Sequence, residues 1–359
     1  MAEEERSVII DNGSYYIRAG FSGTEAPQCI LPPISKSLDS EKKPLGEVDG
    51  FTPNKKELLI SDGEILNYDI LEQLWNHFTV NDLRGQPSEF NFVVTDYEKA
   101  PLKIRKRMAE IMFEKFGVSK FQVVSSSVAS LISAGSFTGV SCDIGYESTR
   151  IFPVFEGFPL SQEGEILEIG GKHITEELTA SLRGGEGKWS AYIVPDMIKK
   201  GLRYTFLDGV KKLINMNDYG EFSYEIDERN LSVPEIPQKI STEILFDPNR
   251  NSKKNPEIPE TGIHVKCMNV FKKCEPFINL NHDDIVLTGG TSSITGIGNK
   301  FIEKMKEIGA KDIRLLNNNE AEKNWNGAGI YSSIDTFVWM TKEDWKEERE
   351  RCLYTKAIY

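Results

Sequence analysis

At 359 residues the chain is longer than one ordinary hydrophobic core, and at about 150 residues per domain two bodies with a cleft between them are expected. Apolar residues (39%) and charged residues (27%) stand in the proportion of a globular protein, which excludes a wholly disordered chain. The net charge of -12 is spread along the sequence and excludes a general attraction to nucleic acid or to an anionic membrane.

Residues 8–10 form a short apolar run that ends in Asp11-Asn12-Gly13-Ser14, and 15–21 resume an extended pattern, so the start predicts strand, tight turn, strand. Residues 35–56 turn to Ser, Lys, Asp, Glu, Pro and Gly without periodicity and predict an exposed connection. Ile70, Leu71, Leu74, Trp75 and Phe78 recur at helical spacing, and 90–95 is a near-continuous apolar run suited to a strand buried on both faces. Pro101 opens a helix whose stripe is Ile104, Met108, Ile111, Met112 and Phe116, with Gly117 at its end. The basic run on this helix, Lys103-Ile104-Arg105-Lys106-Arg107, is expected on a solvated face.

A strand over 121–124 and a helix over 128–132 follow, after which 140–143 and 149–155 repeat the opening pattern around Asp143-Ile144-Gly145. The repetition predicts two similar halves, each giving one Asp-Gly loop to a shared cleft. Helices are expected over 174–182, 197–207, 239–246 and 263–274, with a polar meander over 215–237 and a loop over 248–259. An apolar strand over 285–288 then breaks into Gly289-Gly290-Thr291, and Phe301, Met305 and Ile308 show helical spacing after Gly298.

The loops suggest a phosphate ligand, since a triphosphate needs clustered backbone N–H donors and glycine lets the main chain come close. Gly13 and Gly145 are the expected turn residues, Ser14 adds a hydroxyl donor and Arg18 a permanent cation. Asp11 and Asp143, at the heads of the loops, are expected to orient the waters of a Mg²⁺ that bridges the phosphates. Gly289-Gly290 can lie flat against a nucleoside. Other chemistries have little support: the four histidines are far apart, and the five cysteines form no CxxC pair and leave one over. The acidic opening residues and the lack of an apolar run of about 18 residues predict no leader and no membrane span.

Over residues 8–345 the sequence resembles actin and the actin-related proteins, in ordered blocks. These include Asp11-Asn12-Gly13-Ser14, Arg18-Ala19-Gly20-Phe21, Cys142-Asp143-Ile144-Gly145, Pro153-Val154-Phe155-Glu156-Gly157, Gly170-Gly171-Lys172, Val286-Leu287-Thr288-Gly289-Gly290-Thr291 and Trp325-Asn326-Gly327-Ala328-Gly329. The resemblance implies an α/β, actin-like ATPase fold of two related lobes, with mixed sheets and flanking helices around a nucleotide cleft. The smaller lobe would hold 1–134 and 325–359 and the larger 135–324. It implies ATP or ADP with Mg²⁺ as ligand, held by Asp11, Asn12, Gly13, Ser14, Arg18, Asp143, Gly145, Gly171, Lys199, Gly289, Gly290 and Thr291.

Departures from the family pattern shape the expected function. Ser126 stands where actin has a water-orienting glutamine, Arg150 where a histidine is expected, Tyr146 in place of a second aspartate, Lys199-Lys200 in place of a Lys-Glu pair, and Ile294 in place of a tyrosine at the base. The connection over 36–59 and the polar segment 249–255 lack the loop and plug that actin filaments use, and the C-terminus differs from actin's. The expectation is a divergent actin-related protein that holds ATP as a structural ligand, with little or no hydrolysis, and serves as a non-polymerising subunit. Its assembly would be cytoskeletal, such as a dynactin-like filament cap, or chromatin-remodelling. Partners would be other protein subunits, with actin or actin-related proteins among the candidates. The expected location is the cytoplasm and cytoskeleton, with the nucleus left open. The alternative is a slow ATPase that forms actin-like filaments.

Overall fold

The computed structural model describes residues 7–31, 59–61, 64–182, 222–226, 229–233, 242–249, 261–275, 284–294, 296–316 and 322–356. In chain order the elements are β1 (Ser7–Asn12), β2 (Ile17–Phe21), β3 (Cys29–Leu31), β4 (Ile60–Ser61), β5 (Glu64–Ile65), α1 (Tyr68–His77), β6 (Asn91–Asp96), α2 (Leu102–Glu110), β7 (Lys120–Ser125) and α3 (Ser126–Ser133). Then come β8 (Gly139–Ile144), β9 (Thr149–Phe155), β10 (Phe158–Pro159), β11 (Glu165–Leu167), α4 (Gly171–Leu182), β12 (Phe222–Ile226), β13 (Arg229–Val233) and α5 (Ile263–Cys274). The last are β14 (Asp284–Thr288), α6 (Ile297–Glu307), β15 (Arg314–Leu315), α7 (Lys323–Ser332), β16 (Met340–Thr341), α8 (Lys342–Glu348) and α9 (Cys352–Thr355).

Two mixed sheets organise the chain. The first runs in the order β16-β7-β6-β1-β2-β3, and the second in the order β10-β9-β8-β14-β15 with β11 beside β9. Strand β1 shows why the sheets are covered on both faces: Val8 and Ile10 enter a core shared with α1 and α2, whereas Ile9 enters a second core with Trp325 and Ala328 of α7. The alternation is the period of two that a pleated strand imposes, and apolar residues at every position are its consequence. In the second sheet Ile285 and Leu287 join the core under α5 and α6, while Val286 points to the other side with Val128 and Leu131 of α3.

The helix that Pro101 opens reaches Gly117, as expected: α2 passes into a π-helical turn, Ile111–Phe116, and Gly117 ends it at φ 70°. Within the segment read as a polar meander, however, β12 and β13 form an antiparallel pair. Phe222, Tyr224 and Ile226 alternate with polar residues there, a strand signal hidden by the hydrophilic average. Of the helix expected over 239–246, the described part contains the 3₁₀ turn Glu243–Leu245. The basic run on α2 is also not uniformly solvated, since Arg105 is buried and bonds the Asp96 carboxylate at 2.9 Å. The expected helix over 197–207, the connection over 35–56, residues 250–259 and the extreme C-terminus 357–359 lie outside the described residues. All five cysteines are free and buried, and among the described residues no helix is long and apolar enough to cross a membrane.

Candidate functional site

Strand register places the same three residue types at the same level in both sheets. In the first, Asp11 faces Arg18 across the β1–β2 hairpin and Thr95 on the parallel neighbour β6. In the second, Asp143 faces Arg150 across the β8–β9 hairpin and Thr288 on the parallel neighbour β14. Each Asp therefore ends a central strand where the chain leaves the sheet, at the carboxyl ends of parallel strands, the usual place for a ligand crevice.

The two hairpins line one cleft of about 390 Å³. Of the twelve residues singled out in the sequence, Asp11, Asn12, Gly13, Ser14, Arg18, Asp143, Gly145, Gly289, Gly290 and Thr291 border it. Gly171 stands behind the second hairpin, where its N–H donates to the Gly145 carbonyl at 2.9 Å. Lys199 lies outside the described residues.

The details differ from the simple picture of glycine N–H groups facing a ligand. The Gly13 N–H closes its own turn on the Tyr16 carbonyl at 3.1 Å, and the Gly145 N–H does the same on Ser148 at 3.0 Å. Ser14 has no hydrogen-bond partner within the protein among the described residues, so its N–H and hydroxyl are open donors on the first hairpin. Arg18 Nη1 lies 3.5 Å from the Asp11 carboxylate, and its buried Nε has no partner among the described residues. A buried donor left open is costly unless something occupies the space before it. Thr95 Oγ1 donates to Asp11 Oδ1 at 2.6 Å, and the Trp75 indole N–H reaches Asn12 Oδ1 at 3.3 Å.

Asp143 is held differently. Asn324, from α7, donates to Asp143 Oδ2 at 3.2 Å and accepts from Thr288 Oγ1 at 3.2 Å. Burial pushes the Asp143 carboxyl up to about 6; the Arg150 cation and the Asn324 hydrogen bond oppose this, and the negative charge of Asp11 adds to it. A buried carboxylate at Asp143 with the Asp11 charge facing it is a setting that a cation would relieve. Among the described residues no group of three or more His, Cys, Asp or Glu side chains could hold a metal ion, so a bare metal cage is not what this set offers.

Gly289 is required by its place. Its φ is +86°, and a Cβ there would lie 2.2 Å from Asp143 Oδ1. It packs against the second hairpin, while Gly290 faces open space. Thr291 Oγ1 donates to the Gly145 carbonyl at 2.7 Å, fixing the hairpin from the same side. Ser126, at the start of α3, spends its hydroxyl on the Asp96 carbonyl at 3.0 Å.

Sequence reasoning missed Thr95 and Asn324. Thr95 could have been found by aligning the apolar run 90–95 with 8–11 as parallel neighbours, but Asn324 has no local signal because it reaches Asp143 only through the packing of α7. Comparison with protein-family models gives a match to the model described as Actin, over residues 2–201 and 190–357.

Proposed function

The chain belongs to the actin family, and from that premise we propose that it binds ATP or ADP with Mg²⁺ in the cleft between its two Asp-Gly hairpins, as a ligand that ties the lobes together. The carrying observation is the matched pair of hairpins, each with Asp at a strand end, Arg opposite and Thr beside it, both opening on one cleft. Members of the family generally bind nucleotide with Mg²⁺. In this reading Ser14 and Arg18 supply donors to phosphate, and Asp11 and Asp143 orient the water shell of the metal. The bound metal would supply charge neutralisation between phosphates and carboxylates. Gly290 and Thr291 border the nucleoside side, and Lys199 is assigned there by resemblance.

We read the ligand as structural. The Ser126 hydroxyl spends its one proton on the Asp96 carbonyl and its side chain is shorter than a glutamine's, so in this reading it orients an attacking water poorly and hydrolysis is slow or absent. The lobes are taken as 1–134 with 325–359, and 135–324. The protein then acts as a non-polymerising subunit of a larger assembly, cytoskeletal and filament-capping or chromatin-remodelling, in cytoplasm or nucleus. Thermal unfolding with and without Mg-ATP and Mg-ADP tests the ligand: at a hundredfold excess over Kd, stabilisation of about 2.7 kcal/mol is expected. An unchanged transition would remove the nucleotide reading. Purification of the native complex identifies the partners, and recovery of the chain alone would count against the subunit role.

A further inference from the structure

Among the described residues, the second hairpin meets the first lobe at Tyr15, Ser61 and Tyr97, and the Lys99 ammonium lies 5.7 Å over the Phe152 ring of β9. The Tyr146 ring lies 4.6 Å from the Tyr15 ring, centroid to centroid, at the tips of the two hairpins. Glu147 Oε1 accepts from Ser61 Oγ at 3.0 Å. The Arg150 guanidinium sits 4.3 Å over the Tyr97 ring.

The second hairpin and Tyr97 are both fixed from behind. On one side the Gly145 carbonyl accepts from Thr291 Oγ1 and the Gly171 N–H, and the Tyr146 carbonyl accepts from the Lys172 N–H at 2.7 Å. On the other, buried Arg105 bonds Asp96 at 2.9 Å and the Tyr97 carbonyl at 2.8 Å, so Tyr97 is a rigid platform. Opening the cleft therefore strains these contacts directly, because the second hairpin and the Tyr97 platform are each anchored within their own lobe.

We propose that Tyr146, Glu147 and Arg150 form a three-point latch that holds the lobes closed over the cleft and positions the two hairpins on a bound nucleotide. The consequence, slow ligand release, rests on the nucleotide reading above; the latch itself does not. An aromatic pair and a cation–π contact are each modest, but they act together with the hydrogen bond and must break in one motion.

Release of a fluorescent ADP analogue, chased with unlabelled Mg-ADP, tests this in the full chain. Tyr146→Leu is expected to release about 3- to 10-fold faster, and Tyr15→Leu with Tyr146→Leu no faster than Tyr146→Leu alone, since both remove the same ring contact. Parent-like release by Tyr146→Leu, or multiplying effects in the double variant, would overturn the latch. Hydrogen exchange without nucleotide gives a second readout: amides of 11–16 and 143–148 should exchange faster in Tyr146→Leu, and equal exchange overturns the proposal. A parent protein that binds no ADP analogue would sink the nucleotide reading, and the exchange experiment would still decide the latch.

Discussion

Asp143 sits between opposing influences, and the sign of its pH response follows from them. Its carboxyl is pushed up to about 6, chiefly by burial, against an ordinary value of about 4. The folded protein therefore binds this proton more tightly than the unfolded chain. Its contribution to stability is full below about pH 4 and is lost as pH rises through about 6. A Mg²⁺-nucleotide needs the ionised form, so its effect has the opposite sign. The rise in Tm caused by Mg-ATP is expected to grow as pH climbs from about 5 to about 7. Asp143→Asn should flatten both trends, and a thermal-shift series across this range checks it. The same series on Asn324→Ala should move the midpoint upward, because the hydrogen bond from Asn324 favours the ionised carboxylate.

Among the elements, α7 is the one that joins the two halves of the site. It packs along α3, donates from the Trp325 indole N–H to the Ile9 carbonyl of β1 at 3.1 Å, and presents Asn324 to β8. Its low helix propensity has a packing reason at one glycine and none at the other. A Cβ at Gly327 would lie 1.6 Å from the Ala129 carbonyl oxygen, so the helices can touch only there without a side chain. At Gly329 the nearest atoms would be 3.7 Å away, an ordinary contact. Gly327→Ala should destabilise by about 1–3 kcal/mol or more, whereas Gly329→Ala should be neutral or stabilising by up to about 1 kcal/mol. Urea denaturation of the two variants separates them, and equal losses would show that α7 does not approach α3 in this way.

For the molecule as a whole, α3 and α7 pack between the two sheets, and the hairpins of both sheets line one cleft, so a nucleotide bound there as proposed would couple to how the sheets sit. Mg-nucleotide should therefore sharpen unfolding toward a single transition as well as raise its midpoint. In sequence, the connection over 36–59 is rich in charge and the segment over 249–255 has no apolar residue, the pattern behind the non-polymerising reading. Sedimentation with Mg-ATP is expected to leave the chain in the supernatant. Filaments in the pellet, accompanied by phosphate release, would favour the slow filament-forming ATPase instead.

The two Asp-Gly hairpins were legible because each is local: an apolar strand, a turn and a returning strand within a short stretch of chain. The strand buried on both faces over 91–96 and the helix running to Gly117 were legible for the same reason, from periodicity and end signals. The β12–β13 pair was lost to its polar average, and the burial of Arg105 to the charge of its neighbours. Which donors are free could not be read at all. Gly13 and Gly145 consume their N–H groups in their own turns, leaving Ser14 and the Nε of Arg18 open. Nor does sequence show that Asn324 steadies Asp143 or that Tyr146 meets Tyr15, since these pairs are distant along the chain and meet only when the lobes are packed. Sequence alone determined where each half would bend toward a ligand; the tertiary structure decided which groups face one another across the cleft, because that depends on long-range packing and not on local pattern.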